Sequence, residues 1–81
     1  SSDLPYWGNG YATEAGRAII DRARELGVST IILKYFDGND ASRRVSEKLG
    51  FVWKGREDDV EYPLIGKRLT VHRTELVLAA P

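Results

Sequence analysis

The run Val28-Ser29-Thr30-Ile31-Ile32-Leu33-Lys34-Tyr35-Phe36 constrains the fold most. Its β-branched and aromatic residues favour extended backbone, and its centre is continuously apolar rather than alternating. A strand of that kind fits best where both of its faces are covered. The preceding segment has the period such a cover needs. Over residues 11–26, Ala12, Ala15, Ile19, Ala23 and Leu26 recur at three- and four-residue steps, while Glu14, Arg17, Asp21, Arg24 and Glu25 take the other side. This predicts an amphipathic helix lying on its Ala15/Ile19/Ala23 face, with Gly27 placed to end it. A shorter helix is predicted over residues 41–49, with Ala41, Val45 and Leu49 as its stripe and Gly50 as its stop.

Extended structure resumes at Phe51-Val52-Trp53, and residues 55–59 read as a polar, acidic loop. Val60, Tyr62 and Leu64 alternate, residues 65–67 turn, and residues 69–78 form a long final strand. Within that strand the apolar phase slips from Leu69 and Val71 to Leu76 and Leu78, which predicts either a β-bulge near Arg73 or Thr74 or burial of both faces at its end. The order is helix, strand, helix and three strands, the last two a hairpin. This is an α/β (α+β) class with a mixed sheet.

With 81 residues the chain has room for one small domain. Cysteine is absent, so packing alone holds the fold and thiolate metal sites are excluded; the composition suits a cytoplasmic protein. Twelve basic residues balance twelve acidic ones, poor equipment for gripping nucleic acid and little defence against self-association. No apolar run approaches the roughly 18 residues of a membrane span.

The chemistry concentrates in two places. In Trp7-Gly8-Asn9-Gly10-Tyr11-Ala12-Thr13-Glu14, a Gly-x-Gly pair runs straight into a helix N-terminus. There the first backbone N–H groups lack intrahelical partners and the dipole end is positive, so the segment is able to cradle an anion. A tight turn before a helix is the plainer alternative. A dinucleotide-binding fingerprint is disfavoured, because Thr13 stands where Gly or Ala is needed and no strand precedes Gly8. The second place is Asn39-Asp40-Ala41-Ser42 followed by Glu47-Lys48-Leu49-Gly50-Phe51. Asn39 and Asp40 are natural N-caps. Ser42 and Ser46, four apart, share a helix face, either as surface hydroxyls or as donors to a cleft.

In this order and spacing the two segments resemble the GNAT family of N-acetyltransferases, most closely its ribosomal-protein-alanine (RimJ/RimL-like) branch. Residues 6–15 are similar to the family's acetyl-CoA pyrophosphate loop and following helix, and the Asn-x-x-Ser and Glu-Lys-Leu-Gly-Phe segments fall where that branch carries them. The resemblance extends from about residue 4 to residue 78 and implies the acyl-CoA N-acyltransferase fold. It also implies acetyl-CoA as co-substrate, with no metal, and an amine of unknown identity as acceptor. Backbone amides of Trp7, Gly8, Asn9, Gly10, Tyr11 and Ala12, with the Thr13 hydroxyl, would receive the coenzyme A diphosphate, and Asn39 would contact the pantetheine. Ser42 is the first choice as proton donor to the departing thiolate. Ser46, where many relatives carry a tyrosine donor, is the second.

The chain departs from the family pattern twice. Pro5 stands where the loop usually begins with Gln or Arg, removing one phosphate contact. The chain also opens at the pyrophosphate loop, so the resemblance implies a partial domain over residues 1–81, the C-terminal, coenzyme-binding half without strands one to four. It would then be an enzyme only when completed by another polypeptide or copy. A coenzyme-binding half-domain without catalysis, or a self-associating structural module, are the other readings. A homodimer that buries the edge of residues 28–36 is expected. Lesser candidates are His72, lone on a strand; the acidic run Glu57-Asp58-Asp59, without ligand spacing for a metal; Arg43, Arg44 and Lys48 toward a 3′-phosphate; and Trp7 and Trp53 as packing.

Overall fold

The computed structural model describes residues 10–78. Helix α1 (Gly10–Glu25) is followed by strand β1 (Thr30–Phe36), helix α2 (Asp40–Lys48), and strands β2 (Val52–Tyr62) and β3 (Lys67–Val77). The sheet order is β1-β3-β2 and both pairings are antiparallel, so the expected mixed sheet is antiparallel throughout the described residues.

Both helices end as their glycines dictate. The Val28 amide donates to the Ala23 carbonyl and the Gly27 amide to Arg24, each at 3.0 Å, with Gly27 at φ +79. The α2 terminus repeats the pattern, Phe51 N–H to Ser46 O at 2.9 Å and Gly50 N–H to Glu47 O at 3.1 Å, with Gly50 at φ +91. Paired six-to-one and five-to-two bonds around a left-handed residue make a Schellman motif. A Cβ on Gly50 would meet only Leu76 Cδ1, at 3.8 Å, so the barrier to substitution there is conformational rather than steric. Gly50→Ala is therefore expected to destabilise the fold by about 1–2 kcal/mol in urea melts. Gly55→Ala, which has open space and no left-handed backbone, should cost much less.

The predicted loop at residues 55–59 and the two strands around it are one strand, β2. Two irregularities, between Trp53 and Gly55 and between Glu57 and Val60, each admit one extra residue opposite β3. Bulges break the two-residue alternation that marks a strand, and Asp59 at φ +58 accommodates the second. Three strands therefore follow from a sequence that predicts four. The first irregularity lies opposite Arg73 and Thr74 but on β2, while β3 pairs with β1 without a break. The phase slip in β3 is burial of both faces: Val71 is buried on one and Thr74 and Leu78 on the other.

The core lies between the helices and one sheet face. Ile20 of α1, Phe51 and Leu78 are buried together, with Ala23, Ile31, Leu33, Leu49 and Leu76 packed around them. The α1 stripe is rotated from the predicted one. Thr13, Gly16, Ile20 and Ala23 face inward, whereas Ile19 is 65% exposed and Ala15 is exposed. The physical reason is Gly16, whose missing side chain admits Leu49: a Cβ there would come within 2.5 Å of Leu49 Cδ1. Nor is β1 covered on both sides. Its burial alternates, Ile32 on the open face is 51% exposed, and among the described residues it pairs only with β3.

Candidate functional site

The N-terminus of α1 is equipped to receive an anion. Among the described residues no acidic side chain occupies its first turn, so none of them neutralises the positive dipole end there. Gly10 opens the helix, and a Cβ at that position would meet nothing within 4 Å. One turn on, Thr13 is buried and its Oγ1 has no hydrogen-bond partner among the described residues. A buried hydroxyl without a partner costs free energy, which a ligand oxygen would recover. These features fit the diphosphate of coenzyme A. Ala12 and Tyr11 belong to the same turn, while Trp7, Gly8 and Asn9 lie outside the described residues.

From this turn a groove of about 480 Å³ runs past Leu33 and Lys34 of β1 to Asn39, Ala41, Ser42 and Val45. It joins Ala12 to Asn39 and Ser42, residues that the sequence treats as separate motifs. Asn39 is the α2 N-cap, its side-chain oxygen accepting from Ser42 N–H at 3.1 Å. A second, smaller cavity of about 220 Å³ shares Lys34, Asn39 and Ser42 with the groove and continues to Phe36, Tyr62 and Val71. Ser42 thus stands where two cavities meet, and its hydroxyl enters none of the hydrogen bonds among the described residues. Ser46 differs: it is 1% exposed and its hydroxyl donates to the Arg43 carbonyl at 2.8 Å.

Several of the remaining candidates are accounted for by pairing, whereas Arg44 and Lys48 enter no ion pair among the described residues. Arg43 reaches Asp40 at 3.8 Å and Glu47 at 3.3 Å. The acidic run is neutralised residue by residue, Glu57 by Lys34, Asp58 by Arg56 and Asp59 by Arg68, at 3.3, 3.0 and 3.5 Å. No cluster able to hold a metal ion occurs among the described residues, and no helix of theirs is long and apolar enough to cross a membrane. Sequence reasoning missed Lys34, Phe36 and Tyr62, whose place at the site depends on the sheet and leaves no local signal. It also undervalued His72, which bonds to Asp37 and Trp53.

Comparison with known proteins bears on the family and the fold. Residues 2–52 match the family model described as the acetyltransferase (GNAT) domain, and the chain belongs to that family. Among curated proteins, YkkB of Bacillus subtilis is 46% identical over 48 residues, 56% of this chain and 27% of its own length. Among solved structures, that of yncA from Salmonella typhimurium, determined with acetyl-CoA, superimposes with a TM-score of 0.80 at 26% identity, covering 90% of this chain and 42% of that one. The ribosomal-protein-S5-alanine acetyltransferase of Vibrio fischeri gives 0.79 at 26% identity, over 89% and 39%. The α/β arrangement is that of the GNAT acyl-CoA N-acyltransferase fold. The chain matches about a quarter of the length of its curated relatives.

Proposed function

We propose that this chain is the coenzyme-binding part of an N-acetyltransferase that moves an acetyl group from acetyl-CoA to a primary amine. The observation that carries the reading is the buried Thr13 hydroxyl, without a hydrogen-bond partner among the described residues, in the first turns of a helix whose described first turn holds no acid, beside a groove that ends at Asn39 and Ser42. In this reading the amides of residues 7–12 and the Thr13 hydroxyl hold the diphosphate, and Asn39 orients the pantetheine. Acetyl-CoA, when bound, supplies an activated acetyl group whose transfer leaves a sulfur in need of a proton. Ser42 holds a hydroxyl proton at the meeting of the two cavities, which suits it as the donor better than the enclosed Ser46. The Asn-x-x-Ser and Glu-Lys-Leu-Gly-Phe segments support the RimJ/RimL-like branch within the family. Residues 1–81 are read as one partial domain, the C-terminal half, in a cytoplasmic setting.

Acetyl-CoA titrated by calorimetry tests the reading. Gly10→Val places a branched side chain in space the fold leaves open, so the fold is expected to survive while a phosphate contact is lost. Binding should weaken by about 1.5–3 kcal/mol, the scale of a hydrogen bond to a charged group. Equal affinity in both proteins, or none in the parent, would remove the cradle.

A second reading, self-association, is favoured by the exposure of Ile32, Phe36, Val52 and Val77 on the open sheet face and by β1 pairing, among the described residues, with β3 alone. An unpaired strand edge beside exposed apolar surface invites another strand. We therefore expect a homodimer, or a complementing chain, over that edge. Light scattering at micromolar concentration checks it: a 9.1 kDa species with a cooperative melt would show that the chain closes its own core.

A further inference from the structure

His72 lies on the central strand, in register with Tyr35 on one side and Arg56 on the other. Its ring stacks on Tyr35, with centroids 5.2 Å apart. Both ring nitrogens are used. Trp53 Nε1 lies 3.0 Å from Nδ1, and Asp37 Oδ1 lies 2.7 Å from Nε2. An indole N–H only donates, so Nδ1 must be the acceptor; an ionised carboxylate only accepts, so Nε2 must carry the proton. The two partners together select the neutral Nε2–H tautomer. His72, Asp37 and Trp53 line a further cavity, of about 380 Å³, whose other charged groups, Asp40, Arg43 and Glu47 on α2, pair with one another; Arg56 pairs with Asp58.

Asp37 begins the turn between β1 and α2. Its amide donates to Thr70 O at 2.9 Å, and its carboxylate accepts from His72, so two bonds tie it to β3. The turn closes through Asn39 N–H to Phe36 O at 3.0 Å, with Gly38 at φ +88. The next residue is Asn39, whose side chain holds the Ser42 amide. Two hydrogen bonds and the short step of chain from Asp37 to Asn39 thus link the imidazole to Ser42, where the groove and the smaller cavity meet.

We propose that His72 is a positioning residue, a clamp whose Nε2–H fixes the β1–α2 turn through Asp37 and thereby sets Asn39 and Ser42 in the groove. The clamp rests on the proposed function only for the purpose it serves, since its geometry is independent of any ligand. A ring that merely fills space would be replaceable by any side chain of similar size. A clamp requires a donor aimed at Asp37. Glutamine keeps a donor at the Nε2 position, asparagine keeps an acceptor near the Nδ1 position but no such donor, and leucine keeps neither.

Amide hydrogen exchange on the parent, His72→Gln, His72→Asn and His72→Leu reads the clamp directly. The Ser42 and Arg43 amides, which donate to Asn39, should exchange about tenfold faster in the leucine and asparagine variants, the scale of one charge-assisted bond. The glutamine variant should stay near the parent. Acetyl-CoA affinity should follow the same order. Because this is the chain's one histidine, its ring ¹⁵N shifts report the tautomer in the parent even where a variant fails to fold, and Nε2–H is expected. An Nδ1–H ring, parental exchange in His72→Leu, or a glutamine variant as fast as the leucine one would each overturn the proposal. Should the parent bind no acetyl-CoA, the functional reading falls while the exchange and tautomer results still decide the clamp.

Discussion

Ser42→Ala is expected to lower acetyl transfer about 10²-fold in a complete form that turns over, the usual loss when a positioned acid is removed. Its hydroxyl, not its backbone, is the group in question, because the Ser42 amide remains bonded to Asn39 in the variant. Acetyl-CoA affinity should therefore stay close to the parent while thiol release slows. Ser46→Ala provides the comparison. It removes a buried hydroxyl bonded to Arg43 O, which should cost about 0.5–1.5 kcal/mol of stability and much less of the rate. A stopped assay of thiol release on the two variants ranks them, and the reverse order would move the donor to Ser46.

Phe51→Ala should have the largest effect on stability. Phe51 is buried against Ile20 and Leu78, where truncation of an aromatic ring costs about 3–5 kcal/mol. A domain this small has a total stability toward the low end of roughly 5–15 kcal/mol, so the variant should lose most of its cooperative urea transition. Phe51→Leu keeps most of the volume and should retain it. If Phe51→Ala melts at the parental midpoint, the cluster is not what holds the sheet to α1.

Local chemistry is what the sequence discloses well. Gly27 and Gly50 announce helix ends because a left-handed residue is cheapest as glycine, and both stand at Schellman motifs. Asn39 announces a cap because its side-chain oxygen reaches an amide three residues on. The two motifs that identify the candidate site are of the same kind. Each is a short run that is read from its own residues. Phase was harder to read. The α1 stripe is displaced because Gly16 scores as neutral in a hydrophobic pattern, yet it is where Leu49 enters. Strand β2 was hidden because bulges at Lys54 and around Asp59 shift the alternation that would have marked it.

The sequence by itself determined both helices, their glycine stops and the two motifs of the candidate site, because each is read from residues a few positions apart. Tertiary structure alone decided that β3 runs between β1 and β2, and that the motifs meet across one groove. It also decided that Asp37, Trp53 and His72 share a network whose members lie as many as 35 positions apart. Such contacts leave no periodic signature in the chain. They come from closing distant segments around a shared core, and a side chain acquires its role there from neighbours that the sequence does not place beside it.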